Sequence, residues 1–527
     1  MINFSRIKTK YSYFILSAIY LIGILFRVYK LDFQDIGNDE MINYLISSLG
    51  FHEIISAILK EIHPPLYYYL LHFWMYLGND AGTLRTLSVI FGVLTIPFVY
   101  FIGKKCFNEK VGLLSCLFIA ISPFYIYYSQ EMRMYSLSSF LAVVCVWYFL
   151  KILEKNEKKF WVGFIIFTVL SLYTHYSFYY LLFVENIFMG IMWFRKNYSY
   201  LFRGWCISHI IILLLSVPGL YILVVQILMV HKYGPQSLVA GAYSFHFKDL
   251  PALFYNFLFL STFGMQFKIP LLILVIVLFV SGLGFAKRED FRRPWSIMND
   301  EKTLFLFLYL LLPIFTSFTL GLLVYSPLMY FARFFIIFTP AYYIILANGI
   351  VNLKSNLTGR LVLIFFFIFL SIASATLNNG RHILTRPPTR AVLKYIHNNG
   401  YRYGDDLVMI HFSHLKMLFD HYNSYHFLID SVGPSFDPKV GAWPRHFLTI
   451  DETYLPNFKK QLEGFSRMWL ILTPVINVQW RDPKEAIWNY CERNFQRVDH
   501  KVFSNTGEPR GTWFEIFLYD LHAGKTN

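Results

Sequence analysis

An adjacent acid pair, Asp39-Glu40, lies in a polar stretch that begins at Asp35, runs on to His63-Pro64-Pro65 and closes at Arg85, between the first two apolar runs of the chain. Carboxylates, an imidazole and a guanidinium take up protons or hold phosphate. A loop so furnished between two apolar spans reads as the catalytic lip of a membrane-embedded enzyme. More such groups recur at the ends of later runs. Tyr128-Ser129-Gln130-Glu131-Met132-Arg133 follows the third run, Thr174-His175-Tyr176 separates the fifth from the sixth, and Arg333 stands near the start of the tenth. Taken singly, each has a plainer explanation: a solvated acid pair, arginines snorkelling to lipid phosphates, a histidine ahead of a proline-started helix. An ionisable group at membrane depth costs about 2.5–3.5 kcal/mol on insertion scales and usually faces a cavity. Here the groups gather on one side of the membrane, and that asymmetry points to a site.

The elements that must position them are membrane helices. Hydrophobic residues make up 56% of the 527 and charged residues 15%, with 55 Phe and 38 Tyr to face lipid and its interfaces. Spanning takes about 20 apolar residues. Eleven runs qualify, near 11–28, 82–103, 111–127, 135–151, 160–175, 177–194, 205–229, 269–286, 303–324, 327–350 and 359–377. The run 251–263 is shorter and is expected to lie in the interface or to enter and return. Arg6, Lys8 and Lys10 precede the first run and no small-residue cleavage site follows it, so it reads as an uncleaved signal anchor.

Lysine and arginine set the orientation. One set of loops, from Arg6 through Lys104 and Lys151 to Arg360, holds twenty of them; the other, from Lys30 to Arg333, holds eight, with Arg381, Arg386 and Arg390 beyond the last run. The first set is expected in the cytoplasm. An odd number of spans then puts the loop 30–81 and the tail outside a plasma or inner membrane. The same loops account for the net charge of +15, since no basic patch interleaved with aromatics suggests nucleic acid. The five cysteines show no CxxC spacing and read as small core residues, with neither a disulfide nor a cysteine metal site expected.

The tail is a different material. From residue 378 to 527, helix-like runs (390–397, 414–422, 485–495) alternate with strand-like ones (407–411, 468–472, 499–503, 513–519), which predicts a small extracytoplasmic α/β domain beside a transmembrane domain over 1–377. It carries no GxGxxG and no phosphate-cradling glycine loop.

In their order, these motifs resemble glycosyltransferase family 39 and its bacterial relatives, among them the dolichyl-phosphate-mannose protein mannosyltransferases and the lipid A aminoarabinose transferases. The resemblance covers about residues 10–350. It rests on Asp39-Glu40, HPPLYYYLLHFW, Arg85, YYSQEMRMYSL, the THY hairpin, and Arg333 followed by Pro340. It implies a C-type glycosyltransferase fold and a sugar donor carried on a polyprenyl phosphate. Two departures weigh against a protein acceptor: Leu66-Tyr67-Tyr68 stands where the protein mannosyltransferases continue HPP with glycine, and their inserted β-trefoil-like domain is lacking.

The residues suit that chemistry. Displacement at the anomeric carbon with inversion needs a base for the acceptor proton, and Asp39 is the candidate, with Glu40 positioning or sharing acceptor contacts. The leaving phosphate needs fixed positive charge, for which Arg333 comes first and Arg85 and Arg133 behind it. Glu131 would orient Arg133 or bind sugar hydroxyls; His63, His175 and Tyr128 complete the expected substrate-binding set. The sequence leaves open whether Asp39 and Glu131, with a histidine, hold a divalent metal, since no ligand spacing demands one. The acceptor is a glycan, lipid or protein. A transporter or flippase of lipid-linked sugars would show internal repeats and charges near the midplane, which are not evident. A polysaccharide polymerase or ligase would use the same lipid-phosphate chemistry and stays an alternative.

Overall fold

The computed structural model describes residues 4–233, 250–259, 265–283, 300–324, 332–353, 357–382, 386–411, 415–432, 454–472, 486–504 and 512–523. They divide into two compact units. The first holds the described residues of 1–31, 63–224 and 244–378, the second those of 32–62, 225–243 and 379–527.

In chain order the helices begin with α1 (Phe4–Val28), then α2 (Asn38–Ser47) and α3 (Phe51–Ile58) of the second unit. The first unit resumes at His63 with α4 (Leu66–Trp74), α5 (Ala81–Cys106), α6 (Glu109–Ile121) and α7 (Pro123–Ser129). Next come α8 (Tyr135–Glu154), α9 (Lys158–Leu172), α10 (Phe178–Phe194) and α11 (Phe202–Tyr233). Then follow α12 (Leu250–Phe259), α13 (Met265–Gly282), α14 (Glu301–Val324), α15 (Thr339–Asn352) and α16 (Leu357–His382).

Helices stand at all eleven expected runs. Among the described residues four stretches can cross a membrane by length and apolarity: Ala81–Cys106, Tyr135–Glu154, Ser199–Met229 and Glu301–Leu320. The pair α6–α7 makes a fifth, and shorter apolar helices lie at Ser12–Val28, Phe178–Phe194, Ile269–Gly282 and Arg360–Leu370. Two runs differ from the straight helices expected. The run 111–127 bends by 56°, because Ser122 caps α7 by accepting from the Tyr125 N–H (3.3 Å) and Pro123 takes the first helical position. The run 327–350 carries a short 3-10 turn, Ala332–Phe335, and becomes α-helical only at Thr339, next to Pro340. Residues 325–331, Lys248, Lys354 and the basic stretch 287–293 lie outside the described residues.

The bend strands the last carbonyls of α6, and a buried cation takes them up. Arg27 donates from Nη1 to the Ala120 and Gly23 carbonyls (2.9 and 3.0 Å), from Nη2 to Ile119 (3.0 Å) and from Nε to Ser129 Oγ (3.2 Å). A guanidinium at the C-terminal end of a helix also meets its negative pole. Gly92 of α5 makes room for this arrangement, since a Cβ there would stand 2.1 Å from Ser129 Oγ.

In the second unit α17 (Thr389–Asn398), α18 (Lys416–Tyr422), α19 (Leu455–Gln461) and α20 (Ala486–Asn494) flank one sheet. Its strands are β1 (Asp406–Ile410), β2 (Ile429–Ser431), β3 (Arg467–Leu472), β4 (Gln496–Ser504) and β5 (Thr512–Asp520), in the order β2-β1-β3-β5-β4. β1 pairs in parallel with β2 and β3, and β5 antiparallel with β3 and β4. Every residue of β1 is buried, as befits a parallel strand with neighbours on both sides. At its start the buried Asp406 takes two bonds from Arg467 (2.8 and 2.6 Å), one from Trp469 Nε1 (3.0 Å) and one from the Arg402 N–H (3.0 Å). The sequence predicts neither the three-residue β2, which is too short to leave a periodic signal, nor the proline-started α19.

Candidate active site

In the first unit five of the sequence-predicted residues gather about one tyrosine. The guanidinium carbons of Arg133 and Arg333 each lie 5.8 Å from the centre of the Tyr135 ring. Arg133 Nη2 donates to His63 Nε2 (3.1 Å). The His63 and His175 rings are 5.8 Å apart, and His175 lies 6.1 Å from Tyr135 and 5.5 Å from Phe334. Tyr128 packs edge-on against Tyr135 at 5.2 Å. His63, Arg133, Tyr135 and His175 are all buried.

Short polar contacts from neighbouring helices hold each member. The Leu66 N–H donates to the Tyr173 carbonyl (2.9 Å), which ties the His63-Pro64-Pro65 loop to the hairpin bearing His175. Tyr67 on α4 bonds Ser88 on α5 (2.9 Å), and Ser88 Oγ donates to the Arg133 carbonyl (3.2 Å). The 3-10 turn with Arg333 is anchored by Tyr125, which donates to the Ile336 carbonyl (3.1 Å), and by Tyr309, which donates to that of Ile337. Arg133 stands just ahead of α8, whose N-terminal end favours negative charge.

The hydrogen-bond pattern fixes the imidazole tautomers. His63 Nε2 accepts from Arg133, so its proton sits on Nδ1; His175 Nδ1 accepts from the Ser177 N–H (3.1 Å), so its proton sits on Nε2. That Nε2–H and the Tyr135 hydroxyl are buried without a hydrogen-bond partner among the described residues. Burial first, then Arg133, His175 and Arg333, holds His63 well below the usual imidazole range, and burial with Arg133 and Arg333 takes His175 down to about 3. Both rings are therefore neutral at pH 7. The cluster presents two fixed positive charges and a buried N–H donor, which suits a phosphate group.

A pH dependence follows. Between about pH 6.5 and 3 the unfolded chain binds a proton at His175 that the folded chain refuses, so stability is complete above the upper limit and is lost as pH falls. The unfolding temperature of the unaltered protein should fall between pH 7 and 4, with a shallower fall in His175→Gln. One proton accounts for about 1.4 kcal/mol per pH unit. Identical slopes would mean that His175 is charged in the folded protein.

The remaining predicted residues sit elsewhere. Arg85 is buried in α5 and donates from Nη1 to the Leu31 carbonyl (2.9 Å). Glu131 is half-buried in the turn before Arg133, its carbonyl accepting from the Arg133 N–H (2.8 Å). In the second unit Asp39 is exposed in the first turn of α2. Glu40 is buried in that turn, where Oε2 accepts from the Gly37 N–H (2.8 Å) and pairs with Arg386 Nη1 (3.2 Å). Among the described residues no group of three or more His, Cys, Asp or Glu side chains is arranged to hold a metal. No sequence pattern singles out Tyr135, although it follows Arg133 by two residues in the same motif, and Arg386 and Arg390 stand out in the sequence only as charges.

Known proteins share this architecture. Residues 62–222 match the family model described as dolichyl-phosphate-mannose-protein mannosyltransferase. No curated protein matches the sequence. An oligosaccharyltransferase of Archaeoglobus fulgidus, solved with a tethered acceptor peptide, superposes with a TM-score of 0.54 at 12% identity, over 98% of this chain and 75% of that one. ArnT from Cupriavidus metallidurans does so with a TM-score of 0.54 at 11% identity in its apo state, over 97% of this chain and 98% of that one. The same protein bound to undecaprenyl phosphate gives 0.54 at 10% identity, with the same coverage. The chain thus has the C-type glycosyltransferase fold, and its match to the mannosyltransferase family model extends over residues 62–222.

Proposed function

We propose that the protein is a membrane glycosyltransferase that moves a sugar from a polyprenyl-phosphate donor to an acceptor hydroxyl on the outer face of a cell membrane, with inversion. The observation that carries this reading is the group formed by buried Arg133, half-buried Arg333 and the His175 Nε2–H around Tyr135. In the donor the phosphate is a diester with one negative charge. When the bond from the anomeric carbon to the phosphate oxygen breaks, the electron pair stays on that oxygen and the lipid phosphate becomes a monoester of higher charge. Two guanidiniums hold the product charge more strongly than the donor charge, which is how binding becomes rate acceleration. Asp39 takes the acceptor proton as the new carbon–oxygen bond forms. The fold and the family match over 62–222 support the reaction class. The departures at Leu66-Tyr67-Tyr68 favour a glycan or lipid acceptor over a protein, and the tail forms the extracytoplasmic domain.

The test is release of free polyprenyl phosphate from labelled polyprenyl-phosphate hexoses and pentoses by membranes containing the protein. Release of lipid phosphate with transfer of label to an endogenous glycan or lipid is the expected result. A full panel of donors left intact would overturn the reading.

A further inference from the structure

Within the second unit the segment 32–40, which ends in the Asp39-Glu40 pair, is fastened to the carboxyl-terminal α/β domain at three points. The first is a helix cap supplied from a distance. α17 begins after Pro387-Pro388, and Pro388 at its N-cap gives no side-chain bond. Asp35 takes that place: its Oδ2 accepts from the Arg390 N–H (2.9 Å), and its Oδ1 accepts from Nε of the same arginine. A carboxylate there satisfies an orphan donor and meets the positive end of the helix. Arg390 returns the contact, with Nη2 donating to the Asp32 and Phe33 carbonyls (3.2 and 3.3 Å). The second point is the Tyr422 hydroxyl of α18, which accepts from the Ile36 N–H (2.7 Å). The third is the buried ion pair of Arg386 with Glu40, which itself takes the Gly37 N–H and so starts α2.

These contacts bracket the acid pair. Asp35 and Ile36 are fixed on one side, and Glu40 on the other is gripped through the carboxylate that also begins the helix. Asp39 lies between them with its side chain exposed. Its direction is set by backbone that Arg386, Arg390 and Tyr422 hold. The Arg390 side chain is 43% exposed, and solvated pairs of that kind add little to stability. The arrangement spends its specificity on geometry.

We propose that Arg386, Arg390 and Tyr422 are positioning residues: through Glu40, Asp35 and Ile36 they aim the first turn of α2, and so Asp39, for proton abstraction. This rests on the transferase reading above, and it gives the tail domain a part in the reaction rather than a shielding one.

The experiment uses the full chain in lipid nanodiscs, with Arg390→Ala, Arg390→Lys, Arg386→Gln, Tyr422→Phe and the exchange Asp35→Arg/Arg390→Asp. Three readouts are taken: turnover against donor Kd, hydrogen exchange over 32–47, and unfolding temperature. A small misplacement of a reacting group can cost about 10²-fold in rate. Arg390→Ala and Arg386→Gln should lower turnover by about 10–10²-fold, leave donor Kd within about twofold, and speed exchange in 32–47 while that of β1 stays slow. Tyr422→Phe should lose less. Arg390→Lys should recover part of the turnover, which a simple loss of packing would not allow; the charge exchange should not, because it puts a guanidinium where the start of α17 needs an acceptor.

Unchanged turnover in both arginine variants, with an active unaltered protein, would overturn the positioning role and leave the transferase standing. Turnover and donor affinity falling together would also overturn it, since the residues would then serve the donor. An unaltered protein that consumes no polyprenyl-phosphate donor would overturn the transferase reading; the exchange data would still decide whether the three residues fasten the segment.

Discussion

Asp39→Asn should lower the turnover of sugar transfer by about 10²–10⁴, the range over which a general base usually contributes. The asparagine keeps the shape and the place in the first turn of α2 but cannot accept the acceptor's proton. Helix α2 should survive, because Glu40 still takes the Gly37 N–H and pairs with Arg386 at its start. Donor Kd and unfolding temperature should therefore stay close to those of the unaltered protein. Glu40→Gln should behave differently. It leaves the buried Arg386 facing a neutral amide, and breaking a buried pair from one side is strongly destabilising. Its effect should show first in unfolding temperature and exchange over 32–47. The measurement is single-turnover transfer of labelled sugar, run beside donor binding on the same preparations. Full activity in Asp39→Asn would remove it as the base.

Arg333→Ala and Arg133→Ala should each weaken donor binding by about 10–10²-fold, since a hydrogen bond to a charged group contributes roughly 1.5–3 kcal/mol. The loss in kcat/KM should be larger than the loss in binding. The phosphate gains charge as the sugar leaves, so a missing guanidinium is felt more at the transition state than in the bound donor. By the same argument, affinity for free polyprenyl phosphate should fall further than affinity for the donor. Arg333→Lys should restore only part, because an ammonium lacks the planar fork. The double variant should lose less than the product of the single losses, since both arginines flank the same Tyr135 ring and face the same anion. If Arg333→Ala left donor binding, product binding and kcat/KM all unchanged, its role would be packing of the 3-10 turn against Phe334 and Tyr135.

The amino-acid sequence is enough to place the apolar helices and to show that the tail alternates helices and strands. Both are properties of local order: an apolar run of about 20 residues, or a switch from a period of 3.6 to one of 2, is written in consecutive positions. It also supplied His63, Arg133, His175 and Arg333 as candidates, because charged and polar groups at the ends of apolar runs stand out in one dimension. The convergence of these four, with Tyr135 at their centre, and the neutrality of both imidazoles come from the folded chain. Those facts depend on pairs far apart in the chain, such as Arg133 with His63, and on burial that no local pattern encodes. Arg27 is a similar case: inside an apolar run it is merely an anomaly, until the bend at Ser122 leaves the Ile119 and Ala120 carbonyls for it to hold. Nothing in the sequence links Asp35 to Arg390 or Glu40 to Arg386, although the arginines stand out there as charges. A cap supplied to a helix some 350 residues away obeys the same physical need as a local one, but nothing in the neighbouring residues records which carboxylate will meet it.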